Sequence, residues 1–202
     1  MTARTAALVG SVGTLAVLAA AGFGYVRTTG LRASGEPSTL EEAVARGVRR
    51  LAVPGDVARR ANPVPRSEAA LAEGLAHYAD HCASCHSIDG SGRTAVGRGF
   101  FPKAPDMRAA ATQRLTDGEL FYVIEHGIRF TGMPAWSTGT PEGETSSWQL
   151  VHAIRHLPEL TEAERATMEA LLPRSPAEIR QEIDEEVFLS GGEAPSPAHR
   201  GH

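Results

Sequence analysis

An uncharged apolar run opens the chain, and shorter amphipathic stretches follow it. From Thr5 to Val26 no charged residue occurs, a span of 22 residues. As a helix at ~1.5 Å per residue it measures about 33 Å, enough to cross a bilayer core. Next, Leu40, Val44, Val48 and Leu51 recur at helical spacing, which predicts an amphipathic helix capped by Thr39 with Glu42 and broken at Pro54-Gly55. Such a stripe needs a cover. The remainder of the chain, a membrane surface and a partner subunit all qualify, and docking on the chain itself is the plainest.

Further helix signals are spaced along the rest. Asn62-Pro63-Val64-Pro65 is hostile to helix, and Ser67 then serves as an N-cap. Thr116 with Glu119 forms a capping box, Leu115 and Leu120 its hydrophobic staple, and Gly127 the stop, which places a helix near residues 117–126. Ser146 with Gln149 opens another that Pro158 ends. Thr161 with Glu164 starts one toward Leu172, and Ser175-Pro176-Ala177-Glu178 starts a last one with Ile179, Ile183 and Val187 as its apolar edge. Strand alternation is absent, so the expected fold class is all-α. The layout is a membrane anchor or uncleaved signal (1–26), a linker with a short amphipathic helix (27–66), a helical domain (67–158), a helical extension (159–190) and a disordered tail (191–202). The domain's length of about 90 residues suits a single small core.

Ala19-Ala20-Ala21 offers small residues for signal processing. Retention is favoured because the apolar run exceeds the ~7–15 residues of a signal core and no polar segment precedes the alanines. Arginine counting does not settle topology, with Arg4 on one side and Arg27 and Arg32 on the other. A net charge of −4 over 202 residues argues against nucleic-acid binding and against a disordered acidic tract. The charge is uneven: eight arginines face four acids between 27 and 66, and ten acids face three arginines from 159 to 193. Basic residues also prevail between 90 and 114, where they either steer an acidic partner or simply solvate the surface.

The chemistry is concentrated in Cys82-Ala83-Ser84-Cys85-His86, which holds both cysteines of the chain. It is the C-x-x-C-H signature for covalent attachment of a c-type haem. On a helical turn the two thiols share a face and can bond one porphyrin, while His86 sits beneath it as an iron ligand. A structural zinc site needs further ligands, and a thioredoxin-like pair needs a βαβ setting that is missing. Of the four methionines, Met133 lies in the Gly- and Pro-punctuated segment Phe130-Thr131-Gly132-Met133-Pro134-Ala135-Trp136 and is the favoured sixth ligand. Met107 reads as core, Met168 as lying beyond the domain. Phe100, Phe101, Pro134 and Trp136 are candidates for packing against the cofactor. His77, His81, His126, His152 and His156 read as surface or outer residues, His81 least firmly because it adjoins the motif. His199 and His202 in the tail are not expected to bind a metal tightly.

These blocks resemble a class I cytochrome c from about Ser67 to Pro158, closest to the small cytochrome domains of membrane-bound respiratory proteins. The matching residues are Gly74 through His86, Pro105-Asp106-Met107, Leu115 through Leu120, Gly132 through Trp136, and Trp148 through Arg155. The resemblance implies one haem c with its iron, thioether bonds from Cys82 and Cys85, and His86 and Met133 as axial ligands. It further implies that the Pro105 carbonyl accepts from His86, with Pro102 as a rival, and that Gly74 and Tyr78 form the crossing of the first helix with the last. Where the family usually has an aromatic on the last helix this chain has Ala153, so the crossing leans on Tyr78, Trp148 and Leu150.

The implied function is single-electron transfer by a membrane-anchored carrier rather than an enzyme, on the periplasmic side of a bacterial cytoplasmic membrane. Its partners would be redox-protein donors and acceptors. A cytochrome subunit of a larger respiratory oxidase or dehydrogenase, and an open-site haem peroxidase or gas sensor, are the alternatives.

Overall fold

A computed structural model of the chain describes residues 3–30, 32–172 and 176–189. Among these, every regular element is helical. Helix α1 (Ala3–Thr29) contains the apolar run, and its segment Ala7–Thr28 is long and apolar enough to cross a bilayer.

Helix α2 spans Thr39–Ala52. Its cap is Ser38 rather than Thr39: Ser38 Oγ accepts from the Glu41 amide at 3.2 Å, and the Glu41 carboxylate accepts from the Ser38 amide at 2.7 Å. Both spacings satisfy the capping pattern. The one adopted lets Glu41 also accept from Tyr25 of α1 at 3.0 Å, and these hydrogen bonds hold its carboxyl below the usual range. The expected docking of the apolar stripe on the domain does not occur. Leu40, Val44, Val48 and Leu51 are 56–88% exposed, and the opposite, arginine-bearing face turns inward.

The core is assembled from α4 (Glu68–His77), α8 (Asp117–His126) and α9 (Pro141–His156). Ser67 caps α4 as expected, accepting from Ala70 N at 3.1 Å, and Thr116 with Glu119 caps α8 reciprocally. Helix α9 begins five residues before Ser146, because Thr140 supplies the cap and Pro141 the first turn. Ser146 lies inside the helix and donates to the Glu142 carbonyl. A 3-10 turn at Leu157–Glu159 holds Pro158 and ends the run.

Trp148, 1% exposed, stacks on Phe121 with ring centroids 4.0 Å apart. The stretch before Ser67 closes over this pair. Arg60 lies 5.1 Å from the Phe121 centroid and pairs with Glu144, Asn62 donates to the Trp148 carbonyl, and His152 Nε2 bonds the Val64 carbonyl at 2.8 Å. A short helix α3 (Gly55–Ala58) packs on α8, where Thr116 Oγ1 donates to the Ala58 carbonyl.

The core also continues past Pro158. In α10 (Glu162–Ala170), Met168 is 1% exposed and belongs to the core, and Glu164 pairs with His156 at 2.9 Å. The segment therefore folds back on the domain, and burial of Met168 contributes about 1.5–3 kcal/mol. Helix α11 spans Pro176–Leu189. Its expected cap Ser175 and the tail with His199 and His202 lie outside the described residues.

Candidate cofactor site

The cysteine motif stands where the helix changes its winding. After α4 the chain makes a π-helical turn, Tyr78–Cys82, and tightens again into α5 (Ala83–His86). The two cysteines form no disulfide with each other and are partly exposed. Burial, with the charge of Cys85 adding to it, pushes the Cys82 thiol up to about 12.

Four carbonyls around the end of α5 are held. Ser87 N donates to Ala83 O at 2.8 Å, Gly92 N to His86 O at 2.8 Å, Thr94 Oγ1 to Cys85 O at 3.1 Å, and Tyr78 OH to Ser87 O at 3.0 Å. The short helix α6 (Ala95–Gly99) packs so closely that a Cβ at Gly97 would meet the Cys85 carbonyl oxygen at 2.2 Å. The His86 backbone is therefore fixed by its neighbours and not by its own ring.

His86 is 7% exposed, and burial lowers its pKa against the raising effect of the Pro105 backbone carbonyl as hydrogen-bond acceptor. The ring is thus biased to the neutral form that a metal ligand requires. Its Nδ1 is buried and completes no hydrogen bond of good geometry. The carbonyl acting on the ring is that of Pro105; Pro102 lies nearby in the cavity wall.

Cys82, Cys85 and His86 open onto a cavity of about 470 Å³. Met133 and Trp136 reach it from the loop after α8, and Ile124, Leu150 and Ile154 line it from α8 and α9. Within the loop, Met133 N donates to Thr131 Oγ1 at 3.1 Å, Ile128 N to Met133 O at 3.1 Å, and Trp136 N to Ile124 O at 3.0 Å. Met107 borders the cavity too, but it is 9% exposed, and its backbone is held by Gly90 and Gln113. Two thiols, a buried neutral imidazole, a thioether and an apolar lining suit a covalently held haem. Among the described residues no cluster of three or more His, Cys, Asp or Glu suggests another metal centre.

Other surroundings were not legible in the sequence. The His81 ring stacks on Trp136 with centroids 5.2 Å apart, and His77 meets His81 edge-on at 4.8 Å. Burial first, then the charge of His81, lowers the His77 pKa against the influence of Asp80. The i, i+4 spacing of His77 and His81 hints at their contact, but nothing in the sequence ties either to Trp136. Phe100 lines the cavity, whereas Phe101 is 38% exposed. Glu42, Arg46 and Arg49 of α2 border the same cavity, and Glu36 pairs with Lys103 beside it. The polar face of α2 thus forms part of the cavity's rim.

Residues 69–165, a little under half of the chain, match the family model described as cytochrome C oxidase, cbb3-type, subunit III. The electron-transfer chemistry of such a domain fits the cavity and its donor set. Together with the all-helical fold and an N-terminal apolar helix that fits a membrane anchor, this match makes the domain a class I c-type cytochrome that carries covalently bound haem c with its iron.

Proposed function

We propose that the chain is a membrane-anchored single-electron carrier in which His86 and Met133 ligate the haem iron, acting as the cytochrome c subunit of a respiratory oxidase complex. The observation that carries the reading is the opening of Cys82, Cys85, His86 and Met133 onto one apolar cavity. The oxidase assignment is supported by the description of the matched family. Haem c supplies, when bound, an iron that gains and loses one electron. Cys82 and Cys85 tether it, and His86, kept neutral by burial, offers a nitrogen lone pair. The Met133 thioether is a soft, uncharged ligand that favours the reduced state and raises the potential. Ile124, Leu150 and Ile154 exclude water and tune that potential through the local dielectric. No side chain is assigned a proton or group transfer. Helix α1 stays as the anchor, and the domain stands on the periplasmic side of a bacterial cytoplasmic membrane, where c-type haem is attached.

The deciding experiment is the absorption spectrum of the holoprotein, oxidised and reduced, made in a host with haem-attachment machinery. A low-spin reduced spectrum and a weak near-infrared sulfur-to-iron band are expected. The band should vanish in Met133→Ala and persist in Met107→Ala. The reverse pattern would make Met107 the ligand, and a high-spin protein that binds carbon monoxide rapidly would favour the open-site alternative. Sizing after gentle detergent extraction tests the assembly: co-elution with oxidase subunits is expected, and a chain that runs alone removes that part of the reading.

A further inference from the structure

The apolar face of α2 is uncovered among the described residues. Leu40, Val44, Val48 and Leu51 are 56–88% exposed, and α2 contributes no buried residue. The polar side borders the cavities: Glu42, Arg46 and Arg49 line the rim of the cofactor cavity, and Arg46, Arg49 and Arg50 line a second pocket of about 270 Å³ in which Arg114 and one carboxylate, Glu119, also lie. A helix that presents such a stripe outward needs an apolar surface to cover it.

Three observations specify that surface. Only nine residues, 30–38, separate α1 from α2. The Tyr25–Glu41 hydrogen bond at 3.0 Å holds the first turn of α2 beside the end of the apolar span Ala7–Thr28. The stripe therefore begins beside the end of the apolar span. Finally, the side chains of Arg49, Arg50 and Arg114 form no salt bridge among the described residues. Their charge complements the phosphates of anionic phospholipids, which attract basic residues near the surface. An amphipathic helix with basic residues off its apolar face is the form that lies in the headgroup plane.

We propose that α2 is an interfacial helix, its Leu40–Leu51 stripe set into the same anionic phospholipid bilayer that α1 crosses and its polar face forming the membrane-side rim of the cofactor cavity. The inference rests on α1 being a retained anchor. It orients the domain: the rim bearing Glu42, Arg46 and Arg49 faces the membrane, and Met133 and Trp136 approach the cavity from a separate loop. Electron exchange at the α2 rim would then take place close to the membrane surface, where a membrane-embedded partner can reach it.

The test uses full-length holoprotein in nanodiscs of phosphatidylcholine and phosphatidylglycerol. Single spin labels are placed at Leu15→Cys in α1, Val44→Cys in α2 and Glu73→Cys on the exposed surface of α4, the haem-bonded cysteines being unreactive. Power-saturation spectroscopy compares the access of oxygen, which concentrates in lipid, with that of a water-soluble nickel chelate. The expected result is strong preference for oxygen at Leu15, intermediate preference at Val44, and preference for nickel at Glu73. A Val44 label as open to nickel as the Glu73 label, with Leu15 still buried in lipid, overturns the inference and leaves the anchor standing. A Val44 label shielded from both reagents means protein covers the stripe and overturns it equally. Nickel access at Leu15 defeats the anchor reading itself.

Discussion

Gly74 lies against Gln149 so closely that a Cβ at position 74 would come within 2.2 Å of the Gln149 carbonyl oxygen and 3.3 Å of the Ala153 side chain. This is the contact that lets α4 cross α9, and it explains the pairing of a glycine with a small residue on the last helix. In an exposed helix, Gly→Ala would gain about 1 kcal/mol of propensity. Here the added methyl meets backbone that cannot swing aside, and overpacking of this kind costs about 1–3 kcal/mol. Gly74→Ala should therefore lose up to about 2 kcal/mol net and lower the melting midpoint of the holoprotein by several degrees, followed by far-ultraviolet circular dichroism. A midpoint equal to or above wild type would mean that the crossing tolerates a larger separation.

A second junction depends on one guanidinium. Arg155 of α9 donates to Asp117 through Nε at 2.9 Å and Nη2 at 2.8 Å, to the Gln113 carbonyl at 2.7 Å, and also to the Leu115 carbonyl. With the arginine side chain 24% exposed, these charge-assisted bonds fasten α9 to the connection that leads into α8. Arg155→Ala should destabilise the domain by about 2–3 kcal/mol. Arg155→Lys should recover less than half, because an ammonium cannot reproduce the planar fork. Urea denaturation of the three proteins measures both values, and full recovery by lysine would reduce the contact to simple charge.

Parts of this arrangement were legible in the sequence because they are local. The Thr116–Glu119 box, the Ser67 cap and the Thr161–Glu164 pair are set by residues three apart, and each forms. Where two such spacings competed, tertiary contacts chose between them, as Tyr25 does for Ser38 over Thr39. At α9 the local alternative Thr140-Pro141 prevailed over Ser146. The motif Cys82–His86 was legible from its spacing, but not the π-helical turn that leads into it. Met168 was hidden among charged neighbours, although the periodicity of α10 turns it to the core. The face that α2 presents inward was out of reach, since amphipathicity states that a stripe exists and not what lies on either side.

Acid should act on the loop that follows the motif. Burial works to raise the Asp89 pKa, but hydrogen bonds from Ser91 and Ser87 and the charge of Arg108 outweigh it and hold the group at about 2, against an ordinary value of 3.8. Arg108 also bonds Asp106, whose pKa is lowered by that contact. A depressed carboxylate contributes stability that is present above its unfolded value and lost as pH falls through its folded one. The contribution of Asp89 is therefore complete above about pH 4 and fades toward pH 2. Asp89→Asn should be less stable than wild type at neutral pH, and the gap should close over that window in denaturation curves taken at a series of pH values. A gap independent of pH would show that the asparagine is disturbing packing and not removing a charge.

Trp136 and His81 form the remaining testable wall of the cavity. The Trp136 amide is fixed on the Ile124 carbonyl at 3.0 Å, which holds its backbone against α8, and His81 stacks against its ring at 5.2 Å. Trp136→Ala would admit water into the cavity. A wetter site favours the more highly charged oxidised state, so the reduction potential should fall by on the order of tens of millivolts, 59 mV being a tenfold change for one electron. Trp136→Phe keeps an aromatic face on His81 and should stay near wild type. His81→Ala removes only the outer ring and should lie between them. Spectroelectrochemical titration at neutral pH, with a thermal melt of each variant, separates the possibilities. A lower melt with an unchanged potential would make Trp136 a packing residue alone, and no change in either would remove it from the site.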